Sequence, residues 1–506
     1  QDPAFMDACD ELGLFVIVNT PGWQFWNNAP SFEQLVYNDI RNMVRRDRNR
    51  PSIWLWEPIL NETWYPDAFA LNTKNVVEQE MQGGTAYTAS DLEAKGSEHF
   101  PVQFTYPLDE KEIDPNKNYY TREWGDNVDD WNSHNSPSRV HRSWGEKPML
   151  VQAMHYSNPL YSYISYNSLY KTSSQHMGGA LWHSFDHQRG YHPDPFYGGI
   201  MDAYRQPKYS YQMFKAQRSP EKTAIIAETG PMVYIANEMT PFSGSDVVVF
   251  SNCDEVKLKV FKNGKEFIHK KDKAEKGMPS PPIVFKDVYH FLDIKALHRN
   301  KKEREAYLVV EGLMNGKVVA TDTVRSALRP EKIVLSIDNE GVDLKADGSD
   351  FVTVIAAVTD KQGNVKRLNN SIIKFEISGE GSIIGDEAFI ANPKQLNWGT
   401  APILVQSSTN PGTITIKASM FYKGTLKPIA GEITLNSVPT NDVLLYDKRE
   451  LEAKKDNKLI SSEKSSNSVN NKIEIELKKV KKELHDLKLK TVEKQQEEFG
   501  EKSKED

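Results

Sequence analysis

The chain has little cysteine and no long apolar run, and each shortage excludes a class of protein. Cys9 and Cys253 are its only cysteines, and because they fall in different predicted domains we expect no disulfide bond between them. No apolar run approaches the roughly 20 residues that a membrane-spanning helix needs. The 12 histidines are scattered without the spacing of a zinc site, so neither a metal nor another cofactor is predicted. A net charge of −7 is modest for this length and gives no reason to expect nucleic acid as a partner.

The first part of the chain, residues 1–218, combines many aromatic residues with alternating strand-like and helix-like segments. This alternation is typical of α/β folds, in which helices join the strands of a sheet. Seven segments are predicted as strands: 14–19, 53–60, 85–90, 102–106, 119–123, 149–153 and 179–184. At roughly 150 residues per domain, the 506 residues are expected to form three or four domains.

Residues 219–326 and 327–440 change to short alternating strands, a pattern that predicts two immunoglobulin-like β-sandwiches. In the first of them, Asn-Gly dipeptides at 263–264 and 315–316 separate alternating strands. Asn-Gly in this setting is the strongest local signal of a β-hairpin, so two hairpins are expected there.

The last part, residues 441–506, is rich in Lys, Glu, Ser and Asn and begins as a predicted disordered linker. Its second half carries apolar residues at alternating spacings of four and three, the pattern of a short coiled-coil seam. These residues are Ile473, Leu477, Val480, Leu484 and Leu487. The seam allows a partner helix or a homo-oligomer formed through the tail. The alternative, which we favour, is a solvated and partly helical tail.

The segment 48–62 carries the clearest chemical signal. Its apolar run, rich in Ile, Leu and Trp, is typical of a buried parallel strand and leads directly into Asn61 and Glu62. In (β/α) barrels the chemistry lies at the carboxyl ends of the strands, where this glutamate stands. A glutamate in an aromatic, partly dry pocket suits a general acid. The segment therefore favours an enzyme that handles sugars.

Three segments in one order resemble glycoside hydrolase family 2, which includes β-galactosidases, β-glucuronidases and β-mannosidases. They are the helix-then-strand unit at 7–18, the Arg-Asn-x-Pro-Ser stretch with its Asn-Glu pair at 48–62, and the last barrel strand with its closing helix at 178–210. The resemblance implies that residues 1–218 are part of a (β/α)8 TIM barrel, about its third to eighth strands. Two sandwiches and the charged tail follow. A barrel entered at its third strand has six places, so one of the seven strand candidates is surplus.

The resemblance also implies that the chain is the C-terminal portion of a longer enzyme. A barrel without its first two strands has open edges and an unfinished core, so activity is expected of the longer enzyme and not necessarily of the isolated chain. Any signal peptide would then lie in the preceding portion. The compartment stays open: periplasmic or secreted with such a signal, and cytoplasmic without one.

Retaining enzymes of this kind use two carboxyl groups, and the resemblance assigns a role to each. Glu62 takes the acid/base role, and Asn61 donates a hydrogen bond to a sugar hydroxyl next to the reacting carbon. Glu123 resembles the nucleophile in the Glu-aromatic-Gly signature of the family. It stands between Arg122 and Trp124, and a neighbouring arginine keeps a carboxylate ionised, as a nucleophile requires.

The spacing around the nucleophile departs from the family pattern. Family members place the nucleophile after a Lys-Pro-apolar-apolar run, which here is 147–153, and Gln152 or Ala153 stands where glutamate is expected. Three explanations are open. Glu123 on the preceding strand reaches the same point in space, another acid such as Glu98 replaces it, or the site binds sugar without catalysis. We favour the first.

Aromatic and polar residues around these carboxyl groups are predicted to bind the substrate. Besides Asn61 they are Trp23, Glu98, His99, Trp124, Asp126, Trp182, His183 and Asp186. Trp182 ends the last strand and is expected to stack on a sugar face. His183 and His187 lie four residues apart, as metal ligands on a helix do. In a loop at a strand end a substrate contact is preferred, and no metal is predicted.

The sequence thus predicts a retaining, exo-acting β-glycoside hydrolase, most of all a β-galactosidase-like enzyme. It would act by double displacement on oligosaccharides from complex polysaccharides, so its expected partner is a carbohydrate substrate. Two alternatives stay open. One is a β-glucuronidase-like hydrolase, for which Arg189 is the candidate contact to the sugar carboxylate. The other is a non-catalytic carbohydrate-binding protein.

Overall fold

The computed structural model describes most of the chain up to Asn441. The described residues are 2–441 and Lys479, with the exception of 82–85, 127–135, 159–163, 189–194, 224–228, 272–276, 340, 386–389 and 423–427. The coiled-coil prediction for the tail therefore lies outside the described residues. Within the described part, none of the helices combines the length and the apolar character that crossing a membrane requires.

In the described part of residues 1–218, six strands alternate with helices. The elements are α1 (Pro3–Leu12), β1 (Val16–Asn19), α2 (Pro30–Asp47), β2 (Ile53–Glu57), α3 (Asp67–Glu80), β3 (Ala89–Asp91), β4 (Val102–Phe104), β5 (Asn118–Trp124), α4 (Glu146–Ser157), α5 (Tyr166–Lys171), β6 (His176–Leu181) and α6 (Tyr209–Lys215). Short 3₁₀ turns occur at Ser97–His99, Glu110–Glu112 and Arg142–Trp144. Six of the seven predicted strands overlap β1 to β6.

These six strands run parallel and follow one another in chain order. β1 pairs with β2, while β3, β4, β5 and β6 form a second parallel sheet. A parallel bridge between Trp56 and Thr88 joins the two sheets. Because parallel strands all end at the same edge, the residues that follow β1, β2, β3 and β5 meet on one side of the array.

The seventh predicted strand, which contains Met149, is wrong: it lies in the middle of α4. The buried side chains of this segment recur at the three- and four-residue spacing of a helix. They include Met149, Gln152, Ala153 and Tyr156. Pro148 falls in the first turn, where the missing N–H is tolerated. The correction removes the surplus candidate and leaves six strands.

Polar contacts of the sequence motif fix helix α1 against the start of β2. Asp2 caps the helix, because its Oδ1 accepts a hydrogen bond from the Ala4 amide at 2.8 Å. Arg50 of the motif donates from Nη1 to Asp7 at 2.7 Å and to Asp10 at 3.0 Å. α1, α2 and α3 share one buried apolar cluster with β1 and β2. Arg50 therefore stabilises the packing of α1 and is not a substrate contact in this structure.

The second part of the chain forms two antiparallel sheets that share one core. Its elements are β7 (Val233–Ala236), β8 (Val247–Ser251), β9 (Glu255–Val260), β10 (Glu266–Lys270), β11 (Ile283–Phe285), α7 (Phe291–Arg299), β12 (Tyr307–Met314) and β13 (Lys317–Arg325). The sheet orders are β10-β9-β12-β13 and β11-β8-β7. Asn315 and Gly316 form the β12–β13 turn with φ of 51° and 75°, so that hairpin is confirmed. The β9–β10 hairpin around 263–264 is confirmed as well.

The third part repeats this sandwich-like arrangement of two sheets around one core. Its strands are β14 (Lys332–Asp338), β15 (Leu344–Lys345), β16 (Phe351–Thr359), β17 (Ile372–Gly379), β18 (Gly381–Ile383), β19 (Lys394–Gln395), β20 (Thr400–Ser407), β21 (Thr413–Met420) and β22 (Gly431–Val438). The sheet orders are β14-β16-β20-β18 and β15-β22-β21-β17-β19. An immunoglobulin-like topology for the second and third parts stays a prediction.

A loop of the third part packs directly against the first part. Trp398 belongs to the same buried cluster as Trp124 of β5. A Cβ atom at Gly145 would lie 2.9 Å from the Trp398 ring, so only glycine allows this approach. Arg142 donates from Nη1 to Thr400 Oγ1 at 2.9 Å. The third part therefore supports the segment that follows β5.

Candidate active site

Glu62 lies just after β2, at the carboxyl edge of the parallel strands. Asn61 forms an isolated parallel bridge with Trp23, which ties the segment after β2 to the segment after β1. Glu62 Oε2 accepts hydrogen bonds from Trp23 Nε1 at 2.8 Å and from Gln24 Nε2 at 2.7 Å. The structure thus brings Trp23 to the predicted acid, and it adds Gln24, which no sequence pattern indicates. The Glu62 side chain is exposed, in contrast to the partly dry pocket that the sequence predicts.

Glu123 is the penultimate residue of β5 and emerges at the same edge as Glu62. Both residues have a left-handed backbone, with φ of 48° at Glu62 and 54° at Glu123. Positive φ in a non-glycine residue costs on the order of 1–3 kcal/mol, and such residues cluster at functional sites. Gly125 follows with a φ of 101° and is packed so closely against Leu181 that a Cβ atom would lie 2.6 Å from it. The backbone therefore adopts an unfavourable left-handed conformation at both predicted catalytic carboxylates.

Glu62 and Glu123 line one cavity of about 720 Å³. The other described residues that line it are Leu60, Thr63, Trp64, Asp91, Leu92, Glu93, Ala94, Lys95, Phe104, Thr105, Tyr106, Thr121, Arg122, Trp124 and Ile164. This volume lies within the range of roughly 300–1,000 Å³ that is usual for small-molecule sites. Trp64, which is 85% exposed, and Tyr106 add open aromatic surface. Exposed aromatic surface beside a cavity commonly marks a binding site.

Arg122 joins the ends of three strands beside Glu123. Its Nη1 donates to Glu57 Oε1 at 2.6 Å, and its Nε and Nη2 donate to the Asp91 carboxylate at 2.8–3.1 Å. Nη2 also donates to Asn61 Oδ1. The distance from Nη1 to Glu123 Oε1 is longer, at 4.0 Å. The main partners of the guanidinium are thus Glu57 and Asp91, and the predicted nucleophile Glu123 lies farther away.

Glu57 and Asp91 are acids of this network that the sequence analysis did not single out. Glu57 is buried and also accepts a hydrogen bond from Asn19 Nδ2. Burial raises the pKa of Glu57 to about 7, although the charge of Arg122 acts in the opposite direction. Burial likewise raises the pKa of Asp91, again against Arg122. The sequence offers one signal for these two acids: each is the last residue of a strand, Glu57 of β2 and Asp91 of β3.

The Trp124 ring is largely buried in a core, and the Asp126 carboxylate is paired with a buried arginine. The Trp124 ring lines the cavity, but its centroid lies 6.2 Å from that of Tyr156 and 6.0 Å from that of Phe214, within a core. Asp126 accepts two hydrogen bonds from Arg139, at 2.9 and 2.8 Å, and only 1% of the Arg139 side chain is exposed. Asp126 thus forms an ion pair with a buried arginine, and its contact with substrate stays a prediction.

Glu98 and His99 lie in the turn before β4, at the amino ends of the strands. The Glu98 side chain is 74% exposed, and its Oε1 lies 3.7 Å from His99 Nε2. Neither residue lines the cavity that holds Glu62 and Glu123. Glu98 as an alternative nucleophile, and both residues as substrate contacts, stay predictions.

Trp182 and His183 follow β6 close to Trp124. The Trp182 amide donates to Trp124 O at 2.9 Å, and the Trp182 ring contacts His183 and His187. Both residues are half-buried, and the described lining of the cavity does not include them, so their contact with substrate stays a prediction. Arg189 lies outside the described residues. Within the described part, no three His, Cys, Asp or Glu side chains converge as metal ligands do.

Asp186 is a buried structural residue rather than the predicted substrate contact. Its Oδ1 accepts hydrogen bonds from Lys208 Nζ at 2.7 Å and from the Gly199 amide at 3.0 Å. Burial raises the pKa of Asp186 to about 7, against the effect of Lys208. Burial also lowers the pKa of Lys208. The pair ties the loop after β6 to the start of α6, and the sequence analysis missed it because its partners lie 22 residues apart.

Replacing Asp186 by alanine is expected to lower the free energy of unfolding by about 3–5 kcal/mol, because the buried Lys208 ammonium loses its counter-charge. Thermal and urea unfolding of the purified variant measure the effect. The matched control is the Asp186→Ala, Lys208→Met double variant, which removes the isolated charge and is expected to recover most of the loss. A single variant as stable as the wild type would contradict the structural role.

Comparison with known proteins shows which proteins this chain resembles. Residues 333–422 match the family model described as glycoside hydrolase family 2 C-terminal domain 5. A β-galactosidase of Thermoanaerobacter pseudethanolicus is 28% identical over 439 residues, which cover 83% of this chain and 54% of that protein. A putative β-glucuronidase of Formosa agariphila is 23% identical over 436 residues, 75% of this chain and 38% of that protein. The chain spans about half the length of the curated relatives it matches, 53–54% for three of them.

Solved structures agree on the fold. The structure of a β-glucuronidase from glycoside hydrolase family 2 aligns with a TM-score of 0.62 at 21% identity, over 88% of this chain and 44% of that one. A β-glycosidase of Bacteroides vulgatus aligns with a TM-score of 0.59 at 19% identity, over 86% and 58%. The resemblance to glycoside hydrolase family 2 that the motifs predict is therefore confirmed, by the family model at 333–422 and by relatives along most of the chain.

Proposed function

We propose that the protein is a retaining, exo-acting β-glycoside hydrolase for neutral β-galactosides, with Glu62 as acid/base and Glu123 as nucleophile. One observation carries the proposal. Two glutamates at the carboxyl edge of the parallel strands, Glu62 after β2 and Glu123 at the end of β5, both adopt a left-handed backbone and line one cavity. Action at chain ends belongs to the proposal through the resemblance to the family.

The proposed architecture is the third to eighth strands of a (β/α)8 barrel, followed by two immunoglobulin-like sandwiches. Support comes from the six parallel strands in chain order and from the two pairs of mainly antiparallel sheets that follow. In this scheme β2 and β5 are the fourth and seventh strands of the barrel. Domain limits of 1–218, 219–326, 327–440 and 441–506 belong to the same proposal.

The chemistry follows from the two carboxyl groups. Protonated Glu62 donates its proton to the glycosidic oxygen while the Glu123 carboxylate attacks the anomeric carbon, so the bond to the leaving group breaks as the glycosyl–enzyme ester forms. Ionised Glu62 then removes a proton from water, which attacks the anomeric carbon and releases Glu123. Two inversions leave the sugar with its original configuration.

The charge of the cavity favours a neutral sugar over a uronate. Its described lining carries the carboxyl groups of Glu62, Asp91, Glu93 and Glu123 and the cations of Lys95 and Arg122. Arg122 is already bound by Glu57 and Asp91. Bringing like charges together in a partly buried site costs several kcal/mol, so a sugar carboxylate is disfavoured there.

The protein is expected to hydrolyse 4-nitrophenyl β-galactoside with a kcat/KM about 100-fold or more above that for the β-glucuronide, because the acidic cavity repels the uronate. Parallel assays with the galactoside, glucuronide and mannoside measure the ratio. Equal or faster turnover of the glucuronide would support the β-glucuronidase alternative, which the names of several relatives favour. Saturable sugar binding without turnover of any of the three would favour a carbohydrate-binding protein.

A further inference from the structure

Arg122 contacts only one end of the Asn61 side-chain amide. A guanidinium carries donors and no acceptor, so the amide end that faces Arg122 Nη2 is the oxygen, Oδ1. Among the described residues, none accepts a hydrogen bond from Asn61 Nδ2. The amide is therefore held with its acceptor end occupied and its donor end available.

Arg122 itself is held so that it cannot release this amide easily. Asp91 accepts from Nε and Nη2, Glu57 accepts from Nη1, and Asn61 accepts from the remaining hydrogen of Nη2. Four of the five N–H groups are thereby engaged, and 15% of the side chain is exposed. The acids come from the ends of β2 and β3, so the orientation of the guanidinium is set by two strands besides its own.

Asn61 directly precedes the proposed acid, and although its side chain is not part of the described lining of the cavity, its amide is held by Arg122, which does line it. A side-chain amide in solvent turns either end toward a partner at little cost, and a donor is presented to substrate only if the other end is fixed. Hydrogen bonds to the sugar hydroxyl next to the anomeric carbon strengthen in the transition state of glycoside hydrolysis. The orientation of the amide therefore affects the rate and not only binding.

We propose that Arg122 is a positioning residue that turns the Asn61 amide so that Nδ2 donates to the substrate hydroxyl beside the anomeric carbon. Glu57 and Asp91 act through Arg122 by holding its guanidinium. This inference rests on the proposed function, since it names a role within the same site. It also separates Arg122 from the simpler role of a counter-charge for Glu123, whose carboxylate lies 4.0 Å away.

The test compares 4-nitrophenyl β-galactoside with its 2-deoxy analogue, which lacks the hydroxyl in question. Arg122→Lys keeps a positive charge but loses the planar fork, so kcat/KM for the galactoside is expected to fall about 30-fold, the size of one good hydrogen bond in a polar site. On the 2-deoxy substrate the loss is expected to stay within about 3-fold. In an Asn61→Ala background, Arg122→Lys is expected to cause no further loss on either substrate.

Two outcomes overturn the inference. One is an equal loss on both substrates in the Arg122→Lys variant. The other is a double variant whose loss is the product of the two single losses, because independent residues contribute additively to the activation free energy. A longer enzyme containing this chain that hydrolyses neither substrate overturns the proposed function itself, and the inference with it.

A second variant keeps the test decisive if Arg122→Lys fails to fold. Glu57→Gln preserves the size of the buried side chain and an acceptor for Nη1, but it weakens the hold on the guanidinium. The inference is supported if Glu57→Gln lowers kcat/KM for the galactoside by less than Arg122→Lys does and leaves kcat/KM for the 2-deoxy analogue unchanged. Full activity on the galactoside in both Glu57→Gln and Asp91→Asn would overturn the part assigned to these acids. Far-ultraviolet circular dichroism and thermal unfolding confirm that each variant is folded.

Discussion

Hydrolysis of β-galactosides is expected to fall by about 10⁴-fold or more when Glu123 is replaced by glycine, because the covalent intermediate forms on its carboxylate. Initial rates with 4-nitrophenyl β-galactoside measure the loss. The matched control is Glu98→Gly, which removes an exposed glutamate at the opposite end of the strands and is expected to leave activity unchanged. An active Glu123→Gly variant together with an inactive Glu98→Gly variant would reverse the assignment.

Replacing Glu62 by alanine is expected to cause losses that depend on the leaving group. A disaccharide needs protonation of its glycosidic oxygen, so its kcat/KM is expected to fall about 10³-fold. A 2,4-dinitrophenyl galactoside has a leaving group that needs no proton, and its kcat/KM is expected to fall by less than about 10-fold. The loss arises in the step that forms the glycosyl–enzyme, which kcat/KM reports.

Glu93→Ala is the control for the Glu62 variant. Glu93 lines the same cavity with an exposed carboxylate two residues after β3, but it lacks the left-handed backbone of Glu62 and Glu123. We expect Glu93→Ala to change kcat/KM for the disaccharide and for the activated substrate by similar, small factors. Equal losses on the disaccharide and the activated substrate in the Glu62 variant would exclude general-acid catalysis by this residue.

The two central carboxyl groups were predictable because each lies at or shortly after the carboxyl end of a predicted strand. Asn61 and Glu62 come after the apolar run of β2, and Glu123 is embedded in β5 next to an arginine. Local order along the chain is sufficient for such predictions. The hairpin at Asn315-Gly316 was predictable for the same reason, since its two residues determine the turn.

The polar network around Arg122 was not predictable, because its members come from separate strands. Glu57 and Asp91 lie 65 and 31 residues before Arg122 in the sequence. Only the side-by-side arrangement of the strands from β2 through β5 brings the three side chains together. The buried partner of Asp186 was missed for a similar reason. An acid after a strand serves equally well as a substrate contact or as half of an ion pair, and sequence alone does not separate the two.

The two residues that stand where the family pattern places its nucleophile are not at a strand end. Gln152 and Ala153 lie in helix α4, where Gln152 Nε2 donates to Ser138 O at 2.7 Å and its Oε1 accepts from Ser210 Oγ at 2.8 Å. Neither residue stands at the end of a strand. A short apolar run fits a buried helix as well as a buried strand, so its period alone did not decide between them. With that run assigned to a helix, β5 carries a glutamate at the edge where Glu62 lies.

The most direct test of the account is the product that the Glu123→Gly variant forms from an activated β-galactoside in the presence of azide. Azide enters the space left by the carboxylate and attacks the anomeric carbon once, so nuclear magnetic resonance is expected to identify α-galactosyl azide as activity returns. Such a product establishes Glu123 as the nucleophile of a retaining enzyme. Wild-type turnover with no azide adduct from the variant, or an adduct of β configuration, would contradict the account.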